Sequence, residues 1–177
     1  LSTDRVAALA VAGLSTAQLS QLSSTQMGSL TTGQVQALST GQVASLSTGQ
    51  LGGLSTTQLQ SLTTSGVSQI GALTSTQLQS LTTGSLTNLL TAQTAVLGTA
   101  QVQALTTAQV QSLTTAQVKS LSAAKLDAME TVDVAVLTTA QLDVIAAADL
   151  ATLGTDQLQA LTTAQVASLA TDKLNAL

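Results

Sequence analysis

The chain has 177 residues and contains no Cys, His, Phe, Trp, Tyr or Pro. That excludes disulfides, thiolate or imidazole chemistry, histidine metal ligation and any aromatic platform for a base or a sugar. Four basic and eight acidic residues, for a net charge of -4, also exclude the clustered Lys and Arg that nucleic-acid phosphates require.

Although 44% of the residues are apolar, the longest apolar runs, such as Val6 to Leu14, fall far short of the roughly 18 to 20 residues that span a bilayer. No signal peptide is visible at the N-terminus. What remains is Leu, Val, Ala, Thr, Ser, Gln and Gly. The core is therefore expected to be aliphatic, and the surface to rest on hydroxyls and amides.

In chain order, the first unit starts at Leu1, and Leu9 to Gly13 then adds five residues. From Leu14 a leucine recurs every eight residues through Leu22, Leu30, Leu38, Leu46 and Leu54 to Leu62. The unit from Leu62 is eleven residues long, and we assign Ile70, Gly71 and Ala72 as its extra residues. From Leu73 the series runs unbroken to Leu121, continues with Met129, Leu137 and Ile145, and ends at Leu177. The whole of 1–177 reads as one octapeptide-repeat solenoid, with irregularities at 9–13 and 70–72.

The unit is L-[ST]-[ST]-small-Q-[LV]-x-small, and its sixth position is apolar in every unit but the one carrying Thr94. One continuous helix cannot satisfy this period. Eight residues rotate about 800°, so the apolar positions would precess about 80° per unit. A flat strand would send positions one and six to opposite faces. The chain must turn within every unit.

Ser or Thr at position two, followed three residues later by Gln, is the capping-box pattern, and the apolar residues at one and six fall where a hydrophobic staple places them. In the unit 105–112 the roles go to Leu105, Thr106, Gln109 and Val110. Thr99 and Thr155, at position three beside Gly98 and Gly154, are candidate caps in their own units. The expected fold is all-α, a solenoid of very short capped helices, one per repeat, with a β-solenoid as the alternative. Positions one and six would line the centre, and Thr, Ser and Gln would face out. Small residues at positions four and eight would let neighbouring helices approach. No such unit can stand alone, because its few buried side chains do not offset the entropy of ordering eight residues, so stacking is required.

From Val6 to Val118 there is no charge, and beyond Asp4 and Arg5 all the others lie between Lys119 and Lys173. Asp4, Asp156 and Asp172 at position four, and Asp133 and Asp149 at position five, would sit in first helical turns, where the dipole favours negative charge.

The pattern, best preserved in LTTAQVQA, LTTAQVQS and LTTAQVKS, resembles the octapeptide-repeat regions of large bacterial secreted or cell-surface proteins. That resemblance covers the whole chain and implies an extracellular setting with a structural or adhesive role. A local similarity to the first helix of transcription-activator-like effector repeats is outweighed by the short period and the scarcity of charge.

No catalytic, cofactor-binding or metal site is assigned. Serine is abundant but has no base beside it, and the glycines are spread over repeat positions rather than gathered in a phosphate loop. Asp127, Glu130 and Asp133 read as a solvated acidic face, with Asp127 and Asp143, both at position seven, sharing an outward row. Lys119, Lys125 and Lys173 read as surface charges. The expected function is that of a non-enzymatic structural protein that self-associates through stacked repeats, as a filament, surface-layer or adhesin-stalk unit. The alternative is a solenoid that presents Thr, Ser and Gln rows to ice or glycan. No nucleic-acid, membrane-inserted or small-molecule partner is expected.

Overall fold

A computed structural model of the chain describes every residue except Leu1, Ala7 and 64–67, and describes Thr3 and Asp4 by their backbone alone. The first residue of the leucine series, Leu1, and the side chain of Asp4 thus lie outside the described residues. The architecture is an all-α solenoid of short helices, one per unit, with no strand among the described residues. The β-solenoid alternative is thereby set aside.

Each helix is short for a local reason. In the unit of Leu105, Thr106 is extended (φ -75°, ψ 155°) and its hydroxyl accepts from the Gln109 amide, which starts the helix Thr107–Ser112. Leu113 then returns to extended geometry (φ -56°, ψ 137°), and the next cap, Thr114, begins the following helix, Thr115–Lys119. Helices of one to two turns are unstable alone. Stacking supplies what they lack: Thr107–Ser112 packs against Thr83–Thr87 on one side and Thr131–Val136 on the other.

The contacting helices are three units, or 24 residues, apart, so the solenoid has three units per turn and three faces. Positions one and six fill its centre. Val110 is fully buried and Leu113 is 5% exposed, within one continuous aliphatic column that runs from Val6 to Leu169. Thr94, the polar exception at position six, is buried with them. Its hydroxyl is satisfied by the Leu90 and Thr91 carbonyls at 3.2 and 3.0 Å.

The two irregular units keep this register. In 9–13 a three-residue 3-10 helix, Val11–Gly13, replaces the α-helix, and buried Val11 takes the sixth position. In the long unit, Ile70 is fully buried and Gln69 stands where position five should be. Residues 70–72 are therefore the ordinary end of their unit. The additional length falls between Thr63 and Gln69, whose Oε1 accepts the Thr63 amide across six residues where the usual span is three.

Position four does not serve close approach. A Cβ on Gly33, Gly41 or Gly49 would meet only the cap hydroxyl of its own helix, at 3.9 to 4.0 Å. Close approach occurs between Gly28 at position seven and Gly53 at position eight, where a Cβ on Gly28 would lie 2.8 Å from the Gly53 carbonyl oxygen and one on Gly53 would lie 2.2 Å from that of Ser24.

Candidate functional site

The repeated chemical feature is the glutamine at position five, which turns inward rather than out. Gln117 is 1% exposed. Its Oε1 accepts the Thr114 amide at 2.9 Å, while the Thr114 hydroxyl accepts the Gln117 amide at 3.2 Å, which completes the capping box. Its Nε2 then donates to the carbonyls of Leu86 and Leu89, both at 2.9 Å, in the preceding turn. One side chain closes its own helix start and ties that helix to the turn below.

The same bridge recurs along the molecule. Gln50 reaches Leu19 and Leu22, Gln77 reaches Val43 and Leu46, Gln109 reaches Leu78 and Leu81, and Gln165 reaches Val134 and Leu137. The acceptors are a position-six carbonyl and the next position-one carbonyl, joined in several units by the position-seven carbonyl between them, as Asp127 is for Gln157 at 3.0 Å. The short helix leaves the position-one carbonyl open, whereas the position-six carbonyl already accepts the position-one amide, as Leu86 does from Leu89 at 3.1 Å. The bridge persists where the hydroxyl is missing: at Gly98 and Gly154 only the return bond from Gln101 or Gln157 remains, at 2.7 and 3.0 Å. Thr99 and Thr155 are the first helical residues there and do not cap.

Where another residue occupies position five, the bridge changes with its chemistry. Lys173, 7% exposed, donates to the Asp143 carbonyl and pairs with the Asp143 carboxylate at 3.3 Å. Half-buried Lys125 donates to the Ala95 carbonyl, and burial holds its ammonium below the ordinary lysine range. Of the three lysines read as surface charges, only Lys119 lies fully on the surface. The other two take over the glutamine's donor role, because an ammonium can supply protons to a carbonyl but cannot return an acceptor to the cap.

Asp133, when ionised, can accept but cannot donate, so it cannot take over the glutamine's donor role. It is 2% exposed, its Oδ1 has no hydrogen-bond partner, and burial, aided by the charge of Glu130, pushes its pKa up to about 6. It therefore leaves the solvated acidic face expected for it. Asp127 and Glu130 are exposed, and together with Asp156 they line an open notch beside the helix Thr155–Gln159. Among the described residues no group of three or more acidic side chains is placed to hold a metal ion. Nor do Asp127 and Asp143 share a row: they stand two units apart, whereas a face repeats every third unit.

The outer faces carry the threonines of position three. Thr83, Thr107, Thr131 and Thr155 follow one another on one face, and Thr91, Thr115, Thr139 and Thr163 on another, all exposed. The inward turn of the glutamines could have been found in the sequence. An exposed cap tolerates many residues, whereas one amide side chain kept through most units indicates a position that must both donate and accept.

The ALTTAQ repeat family matches residues 11–40, 32–64 and 43–83 of this chain. This part of the chain is a repeat region similar to that family, and the bridges show the same unit continuing to the C-terminal end. No curated protein and no solved structure gives a match. No helix among the described residues is long and apolar enough to cross a membrane.

Proposed function

We propose that this chain is a structural, non-catalytic solenoid of an extracellular bacterial filament, surface layer or adhesin stalk, extended by the stacking of further turns. The observation that carries this reading is the hydrogen-bond polarity of the two ends. Every turn offers carbonyl pairs to the turn above and glutamine donors to the turn below. Near residue 177 the carbonyl pairs at Leu150 and Leu153, Leu158 and Leu161, and Val166 and Leu169 receive no position-five side chain among the described residues, and Val166, Leu174 and Leu177 are exposed beside them. At the other end the exposed Gln18 closes its cap, and its Nε2 has no acceptor among the described residues. A further turn, from the same polypeptide or from a second copy, would complete both sets.

The 177-residue protein is expected to form rods or fibres in electron micrographs, and to sediment as a concentration-dependent series of oligomers. Leu174→Lys, which places charge on the exposed end, should suppress both. Strictly monomeric particles at high concentration would remove self-association from the proposal.

The threonine rows favour a second reading. Capping accounts for the hydroxyls at position two, but those at position three face solvent at turn spacing without capping anything. Binding to ice or to glycan through these rows would appear as thermal hysteresis or as hits in a glycan screen. Null results in both would leave the structural reading alone.

A further inference from the structure

We infer that Asp133 is an acid-dependent latch between two turns: protonated, it donates to a carbonyl of the turn below as the glutamine amides do, and ionised, it opens that seam. Three observations place it there. Asp133 holds position five of its unit, where the neighbouring unit's Gln141 bridges to Val110 and Leu113. By the same register its targets are the carbonyls of Val102 and Leu105, neither of which receives a side-chain amide among the described residues; Val102 accepts only the Leu105 amide, at 3.1 Å. Its Oδ1 is buried without a partner, although its backbone amide donates normally to the Glu130 carbonyl at 2.9 Å.

A carboxylate facing carbonyl oxygens in a buried seam is repelled by them and has lost its water, whereas a carboxylic acid supplies the missing donor. Aspartate is one methylene shorter than glutamine, so the latch is a single O–H on a shorter arm in place of an amide shared by two carbonyls. It relieves the buried charge but holds less firmly than the residue it replaces.

The surrounding charges act in the same direction. Of the helices packed on Thr131–Val136, Thr107–Ser112 carries no charge and Thr155–Gln159 carries only exposed Asp156. On the chain leading in stand Glu130 and Asp127, both acidic, while Lys125 is engaged with the Ala95 carbonyl. No cation pairs with Asp133 among the described residues. Because the folded-state pKa, about 6, lies above the ordinary value of 3.8, the folded state holds the proton more tightly than the unfolded chain. The resulting stabilisation is complete below pH of about 4 and is lost as pH rises through about 6.

The test is a carboxyl-carbon NMR titration of the whole chain, together with thermal melts from pH 4 to 8 of the protein and of Asp133→Gln. The expected results are an Asp133 midpoint near 6 and a melting temperature that falls between pH 5 and 7. Asp133→Gln should lose that fall and melt higher at pH 7.5. An Asp133 midpoint near 4, or a Gln variant with an undiminished pH slope, would overturn the latch. The titration needs only the unmodified protein, so it decides the matter even if the variant does not fold.

Discussion

Gln117 and Leu113 lie close together in one turn, and their burial makes them comparable in energy although one is an amide and the other a hydrocarbon. Leu113→Ala removes a core side chain and is expected to cost roughly 2 to 5 kcal/mol. As an outward-facing cap, Gln117 would be worth about 1 kcal/mol or less. The buried bridge changes that expectation. Gln117→Ala removes the donor to the Leu89 carbonyl, which is then left unpaired, while the Leu86 carbonyl keeps the Leu89 amide and the exposed Thr114 amide turns to water; a buried group left unpaired costs about 1 to 3 kcal/mol. Denaturant melts should therefore place Gln117→Ala nearer Leu113→Ala than Lys119→Ala, which removes an exposed side chain and should change stability by less than about 0.5 kcal/mol. Equal, mild effects for the first two would contradict the packing described.

At the scale of the helix, the same residue type has opposite consequences at different positions of the unit. Gly41, at position four of its unit in the helix Thr40–Ser45, has no neighbour beyond its own cap within 4.0 Å. Gly41→Ala should therefore stabilise the protein by up to about 1 kcal/mol, through helix propensity alone. Gly53, at position eight, lies so close to the helix Ser24–Gly28 that an added Cβ would meet the Ser24 carbonyl oxygen at 2.2 Å. Backbone cannot yield as a flexible side chain does, so Gly53→Ala should destabilise by about 1 to 3 kcal/mol. Comparing the two melting temperatures checks the assignment of outer and inner positions without disturbing any hydrogen bond of the ladder.

At the scale of the molecule, the main helix contacts among the described residues join adjacent turns, so stability is a sum of turn-to-turn terms. Removing residues 97–120, one whole turn, joins Val96 to Leu121 and leaves each later position five opposite a matching carbonyl pair. Removing 97–108, half of that length, places position five where position one belongs. The first deletion should keep a cooperative helical melt in far-ultraviolet circular dichroism at a lowered midpoint, and the second should abolish it. Similar behaviour of the two would mean that the three-unit turn does not organise the fold.

The sequence alone determined the unit, its capped helix start, the aliphatic centre and the absence of imidazole and thiol chemistry, because each follows from residue type at fixed short spacing: Leu105, Thr106, Gln109 and Val110 lie within six residues. The tertiary structure decided what depends on neighbours 24 to 31 residues away. The number of units per turn follows from how the helices pack side by side, which an octapeptide does not encode by itself. It decided that Asp127 and Asp143 stand on different faces, and that Lys125, Lys173 and Asp133 leave the surface for the glutamine's place. It also turned Gln117 from a cap into a bridge, because the carbonyls of Leu86 and Leu89 become its partners only when the turn below is in place.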